Sequence, residues 1–302
     1  MPLPSKVRIV DVGPRDGLQN EKQIIPADIK IELVDRLTRA GFGAIEVTSF
    51  VSPKWVPQMA DAVDVMARIR RAPGVVYSVL VPNMKGFDAA LDSRPDEIVV
   101  FGAASEAFSQ KNINCSIAES IERFRPVAAA ALARGIRVRG AISCALGCPY
   151  QGVVAVGSVR EVARLMREIG VQHVGVADTI GVGTPEKTKY AMDAVLQEYG
   201  IDDVSGHFHD TYGMATANVY ACLELGISSF DTSIAGLGGC PYAKGATGNV
   251  ATEDVLYLLD GLGIDTGIDF AHAVATGQWI SGVLNRKAYS RAGNAVTAKL
   301  AA

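Results

Sequence analysis

The stretch 204–235, VSGHFHDTYGMATANVYACLELGISSFDTSIA, reads as strand, helix, strand, and its changing period decides what kind of sheet the chain builds. Val204–Asp210 and Ser229–Ala235 are short runs with β-branched and aromatic residues, whereas Ala215–Leu225 carries apolar residues at helical spacing and stops at Gly226. A helix between two strands is the crossover of a parallel βαβ unit.

The same alternation continues outward from this unit. Upstream, Val7–Gly13, Ala44–Phe50, Val76–Pro82, Glu97–Ala103, Arg137–Ala145 and His173–Thr179 have strand character, which brings the strand candidates to eight. Helical spacing marks Ala27–Ala40, Ile117–Arg134, Ser158–Ile169 and Pro185–Tyr199, and downstream Thr252–Leu262. Most of these stop at a glycine, as at Gly41 and Gly135, where the left-handed closing residue costs no strain. Thr184 and Thr252, each followed by acidic residues, read as N-caps. Eight βα units in 302 residues predict an α/β fold: a closed (β/α)8, or TIM, barrel over residues 7–265. One catalytic domain then spans 1–302, with a short C-terminal helical extension over 266–302. A doubly wound open sheet is the weaker alternative, because the polar clusters fall at the ends of many strands and not at one switch point.

A hydrophobic content of 49% and a net charge of −3 allow a large core and offer no basic track for nucleic acid or for an anionic membrane. No apolar run is long enough to span a bilayer, and Met1–Arg8 lacks the apolar stretch of a signal peptide. The expectation is a soluble, cytoplasmic protein acting on a small molecule. Five scattered cysteines, Cys115, Cys144, Cys148, Cys222 and Cys240, predict reduced thiols. Cys144-x3-Cys148 lacks the second pair of a metal knuckle and reads as buried packing. A homodimer or other homo-oligomer is the general expectation for a soluble enzyme.

Chemistry concentrates in three places. His207-Phe208-His209 puts two of the four histidines at alternate positions of one strand, so both imidazoles face the same point. For an isolated H-x-H, hydrogen-bonded core histidines are an equally good reading, and the context decides. Arg15 and Asp16, just after the first strand, face the barrel mouth, and Asp16 with two imidazoles and an amide oxygen makes a mixed set suited to a divalent cation such as Mg2+ or Mn2+. Zinc fits the same donors. Third is Ala235–Asn249, a loop with five glycines that carries Cys240. A thiol there either packs as a small hydrophobe or approaches the substrate for proton transfer or nucleophilic attack. Lys244 has no following Ser or Thr, so the loop is not a phosphate-binding P-loop. Glu46 and Asp178, on the second and sixth strands, complete the polar set, and functional placement at the mouth or a salt bridge to Arg15 or Arg139 would explain either one equally well.

With these residues in view, the chain resembles the 3-hydroxy-3-methylglutaryl-CoA lyase family from Val7 to Lys287. The resemblance is carried by Val12–Glu21 (VGPRDGLQNE), Thr48–Gln58 (TSFVSPKWVPQ), Phe101–Glu106 (FGAASE), Lys111–Ser116 (KNINCS), Cys148-Pro149-Tyr150, His207–Gly213 (HFHDTYG) and the Cys240 loop. It implies a metal-dependent barrel and retro-Claisen cleavage of a 3-hydroxyacyl-CoA. It further implies Asp16, His207, His209 and Asn249 as metal ligands, Arg15 as the oxyanion stabiliser and Cys240 in proton transfer. Glu46 and Asp178 become supporting acids, with substrate contacts at Gln19, Ser49, Arg139, Ala141, Gly175 and Met214. Three of these depart from the family form, which has Tyr at Ala141, Ser near Gly175 and Gln at Met214, so this pocket is expected to be roomier and less polar beside the acyl group.

The leading expectation is cleavage of 3-hydroxy-3-methylglutaryl-CoA to acetyl-CoA and acetoacetate. (R)-Citramalyl-CoA and an isoprenoid hydroxyglutaryl-CoA are the alternatives that keep the chemistry. A condensing synthase is disfavoured by the absence of a large C-terminal regulatory region, and an amidohydrolase by a first strand without histidine. A non-catalytic binding protein is disfavoured by the assembled set of polar residues.

Overall fold

The structure, a computed structural model, describes residues 2–239 and 247–300. Eight parallel strands close into a barrel in chain order, the first pairing with the last. They are β1 (Arg8–Asp11), β2 (Ala44–Ser49), β3 (Val76–Leu80), β4 (Glu97–Ala103), β5 (Arg137–Ser143), β6 (His173–Asp178), β7 (Val204–Phe208) and β8 (Ser229–Thr232). Around them lie α1 (Ala27–Arg39), α2 (Ala62–Arg68), α3 (Met84–Leu91), α4 (Glu106–Ile113), α5 (Ile117–Leu132), α6 (Val156–Glu168), α7 (Pro185–Leu196), α8 (Ala215–Glu224) and α9 (Thr252–Gly261). The last two helices, α10 (Phe270–Val283) and α11 (Arg291–Leu300), form the C-terminal extension. Among the described residues no helix is long and apolar enough to cross a membrane.

Strand alternation sorts side chains between two environments. On β5, Val138 and Ile142 join the apolar layer against the helices, and a Cβ on Gly140 would meet Met166 of α6. Arg139, Ala141 and Ser143 are the alternate positions and turn inward. The outer layer is the main core, and burying it drives closure. The inside of the barrel is different: alongside Val10, Val12 and Ala44 it contains Glu46, Arg139, His173 and Asp231, all nearly inaccessible.

Several strands stop one to three residues before the sequence pattern does, and at β1 the cause is visible. The Asp11 carboxylate accepts the Gly13 N–H at 2.9 Å, and the chain then winds into a wide turn over Gly13–Gly17, with Asp16 and Gly17 N–H both on the Val12 carbonyl. Thr252 is not an N-cap, since α9 is entered from Ala251 and the Thr252 hydroxyl donates instead to Asp11 at 2.8 Å. Thr184 does occupy the N-cap of α7, but its side chain makes no capping bond. Cys144 and Cys148 are buried and packed with Ala103 and Phe108, as the buried-packing reading expects.

The C-terminal extension braces the site from outside. Asp254, in the first turn of α9, accepts the Ser290 hydroxyl and the Ala292 N–H, while Tyr289 N–H reaches the Ala235 carbonyl in the segment leaving β8.

Candidate metal centre and active site

The turn after β1, the end of β7 and the segment leading into α9 converge at the C-terminal mouth of the barrel. One ligand atom from each of Asp16, His207 and His209 lies within 4.8 Å of the others. Asn249 joins them through two links, a backbone bridge to His209 and its side-chain N–H on Asp16 Oδ2 at 2.8 Å. The imidazoles of His207 and His209 stand 5.6 Å apart between ring centres.

Charge holds Asp16 and His209 as acceptors, whereas at His207 the lowering by burial is outweighed by Asp231 and Asp16, which raise the group. Arg15 divides its guanidinium between Glu46, at 2.5 Å, and Asp16, at 2.7 Å. Burial pushes the Asp16 carboxyl up, but Arg15, His207 and His209 outweigh it and hold the group at about 2. Burial, with help from the His207 charge, lowers His209 to about 4. Both groups are therefore in ligand form at neutral pH. Two buried atoms facing this cluster have no hydrogen-bond partner among the described residues: His209 Nδ1 and Asn249 Oδ1. Unpaired lone pairs are costly to bury, and a cation bound beside an aspartate oxygen would satisfy them. The donor set of two nitrogens and two oxygens fits a divalent metal with water positions left open.

The segments that carry the ligands are joined below the mouth by one carboxyl. Asp11, fully buried on β1, accepts Gly13 N–H at the start of the Arg15–Asp16 turn, Ile234 N–H at 2.9 Å on the segment leaving β8, and the Thr252 hydroxyl just beyond Asn249. Burial pushes this carboxyl up to about 7. Glu253, pushed up to about 8 by burial, takes the Ala235 N–H at 3.0 Å, where Ala235 has the left-handed φ of +57°. The two ends of the glycine-rich loop then pass backbone to backbone: a Cβ on Gly248 would stand 2.6 Å from the Gly238 carbonyl carbon, so only glycine fits.

The predicted residues fall into three groups. Arg15, Asp16, Glu46, His207, His209 and Asn249 are brought together, and Cys240 lies outside the described residues. Asp178 sits beside them, its backbone carbonyl accepting His209 N–H at 3.4 Å. Ala141 and Gly175 are register neighbours on β5 and β6, Gln19 is half-buried, Ser49 is fully buried, and Met214 stands on the rim before α8. Two expectations need correction. Asp178 has no arginine partner among the described residues, because its carboxylate is taken by Val182 and Gly183 N–H at 3.0 and 2.8 Å. Arg139 is not exposed to a ligand: it is 4% accessible, with its guanidinium on Asp231 and Ser205.

Asp231 was not legible as a site residue, and neither were Asp11 and Glu253. Its Oδ2 lies 3.2 Å from His207 Nδ1, and its Oδ1 takes Arg139. The signal was present, since a carboxylate between Phe230 and Thr232 in a buried strand is expensive without a partner.

A model of the HMGL-like family matches residues 6–280. The chain belongs to the HMGL-like family. Among its relatives in that family is a Pseudomonas aeruginosa protein named 3-hydroxy-3-isohexenylglutaryl-CoA/hydroxy-methylglutaryl-CoA lyase, 60% identical over 99% of this chain and 100% of that one. The mitochondrial hydroxymethylglutaryl-CoA lyase of Rattus norvegicus is 54% identical over 99% of this chain and 91% of its own length. A crystal structure of hydroxymethylglutaryl-CoA lyase from Pseudomonas aeruginosa superposes with a TM-score of 0.97 at 60% identity, covering 99% and 100% of the two chains. This HMGL-like barrel therefore shares its whole architecture with solved members of the family.

Proposed function

We propose that this protein is a divalent-metal-dependent carbon–carbon lyase that cleaves 3-hydroxy-3-methylglutaryl-CoA to acetyl-CoA and acetoacetate. The observation that carries the reading is the Asp16–His207–His209 cluster with the unpaired Asn249 Oδ1 beside it, facing an arginine already held by Glu46. A bound Mg2+ or Mn2+ would supply Lewis acidity to the substrate's tertiary hydroxyl and carboxylate oxygens, lowering the pKa of the hydroxyl.

In the reaction the C2–C3 bond breaks, its electron pair passes to C2 as the thioester enolate, and C3 becomes the ketone as the hydroxyl proton leaves. Arg15 is assigned to the developing oxyanion: two carboxylates fix its guanidinium from behind, so little reorganisation is needed when charge appears. Asp178, held rigid by backbone N–H groups and within electrostatic range of His207, is assigned as the supporting acid that takes up the hydroxyl proton. Cys240 is assigned the return of a proton to C2. Gln19, Ser49, Ala141, Gly175 and Met214 are assigned to the acyl group and its surroundings.

A second reading widens the substrate. Ala141 and Gly175 leave no bulk on adjacent inward positions, and the Pseudomonas aeruginosa relative is named for the isohexenyl substrate as well as the methyl one. A 3-substituent longer than methyl fits that reading. The four described cysteines are buried and form no disulfide among the described residues, which is in keeping with the reducing cytoplasm we assign it to. A homodimer or other homo-oligomer is the assigned assembly.

Purified protein with Mg2+ or Mn2+ is expected to release acetyl-CoA from 3-hydroxy-3-methylglutaryl-CoA and from its 3-isohexenyl analogue. Absence of acetyl-CoA from both, beside rapid cleavage of citramalyl-CoA, overturns the substrate assignment. Absence from all three overturns the reaction.

A further inference from the structure

We infer that Asp231 is a positioning residue that fixes the orientation and tautomer of His207, and that Arg139 holds Asp231 in place to do so. The inference rests on the metal reading above, but its geometry is independent of any substrate.

His207 and Asp231 are register partners on β7 and β8. Gly206, Phe208 and Phe230, their neighbours in sequence, pack together, as a Cβ on Gly206 would meet both phenylalanine rings, so His207 and Asp231 are turned inward together. On the inner face the two carboxylate oxygens have separate tasks. Oδ2 stands 3.2 Å from His207 Nδ1, and Oδ1 accepts from Arg139 Nη2, which also donates to Ser205 Oγ at 3.3 Å. A carboxylate engaged on both sides, 6% accessible, cannot rotate away from the imidazole. Its free acceptor pairs with an N–H, so His207 carries its proton on Nδ1 and directs the Nε2 lone pair toward Asp16, whose Oδ2 is 3.9 Å away. Carboxylate–histidine–metal arrangements of this kind orient the ligand and raise its basicity.

The alternative is that Asp231 only balances the buried Arg139. That role needs one oxygen, and the other would be free to face Ser205 or Ser229; here it is committed to the imidazole. Nor is Arg139 available for substrate. Its Nη1 is buried without a partner among the described residues, below the layer of Ala141.

Two measurements test this. With only four histidines in the chain, long-range 1H–15N correlation spectra of the metal-free protein at alkaline pH assign the His207 tautomer. The expected result is Nδ1–H with a bare Nε2. An Nε2–H tautomer in the wild-type protein overturns the inference without any variant. The second measurement is Mn2+ binding followed by electron paramagnetic resonance in the wild type and in Asp231→Asn. The variant is expected to bind Mn2+ about 10- to 100-fold more weakly, with His207 in mixed tautomers. Unchanged affinity and an unchanged tautomer would mean that Asp231 serves Arg139 alone. If the wild type itself binds no Mn2+, the metal assignment fails, while the tautomer still decides the role of Asp231.

Discussion

Replacing Asp11 by Asn measures how far the scaffold beneath the metal cluster depends on one carboxyl. The side chain is fully buried, and its three partners, Gly13 N–H, Ile234 N–H and the Thr252 hydroxyl, are all neutral donors. Burial raises it from 3.8 to about 7 against the pull of those bonds. Below about pH 4 the folded and unfolded forms both hold the proton, and the buried group costs nothing. From about pH 4 to 7 the unfolded chain releases its proton while the native chain keeps it, so stability falls as pH rises; above the folded value the full penalty of about 4 kcal/mol is in place. Asn does not titrate, and its amide must turn one N–H against a backbone or hydroxyl donor, a pH-independent loss of about 1–3 kcal/mol. Urea unfolding of the metal-free proteins between pH 5 and pH 8 separates the two effects. The wild type is expected to be the more stable at pH 5, and the difference to move toward the variant by about 2–3 kcal/mol by pH 8. His173 and His209, lowered to about 3 and about 4, titrate alike in both proteins and cancel in the difference, whereas Glu253, raised to about 8 by burial and in part by the Asp11 charge, is relieved in the variant and moves the difference the same way. Parallel stability curves for the two proteins would refute a native carboxyl protonated near neutrality.

Three further perturbations probe the site itself. Chelation of the loaded enzyme is expected to remove activity and lower Tm by several degrees, since a metal at about 100 times its Kd contributes about 2.7 kcal/mol; His209→Ala should abolish that increment, and an equal Tm with and without chelator would count against the cluster. Arg15→Lys keeps the charge but loses the planar fork that reaches Glu46 and Asp16 together, so kcat is expected to fall by about 100-fold or more while KM changes little; a change confined to KM would remove Arg15 from the oxyanion. Ala141→Tyr adds bulk beside Gly175, and the ratio of kcat/KM for the 3-methyl over the 3-isohexenyl substrate is expected to rise by about 10-fold or more; an unchanged ratio would place the acyl substituent elsewhere.

Much of this site could be read before the fold was seen, because its strongest signals are local. His207 and His209 share a strand face by period alone, and Arg15–Asp16 directly follow a strand. The eight strands and their order followed from the alternation of periods. What escaped reading depends on contacts between distant segments. Asp11 meets Ile234 and Thr252 across more than two hundred residues, and Asp231 finds Arg139 and His207 from two other strands. A buried acid announces that a partner exists but does not name it. For the same reason the sequence left an arginine partner open for Asp178, whereas backbone N–H groups are its partners. Thr252 was drawn from its helix cap by the stronger demand of the Asp11 carboxylate.

The contact between Gly238 and Gly248 has a consequence for engineering. Because the chain returns to its starting point there, Asn249 is held by Phe208, Asp210 and Leu237 on the near side of the pinch: Val250 N–H reaches the Phe208 carbonyl, Asp210 N–H the Gly248 carbonyl, and the Asn249 amide the Leu237 carbonyl. A side chain at Gly248 would therefore shift a metal ligand, and Gly248→Ala is expected to weaken Mn2+ binding through Asn249 without changing the ligand itself.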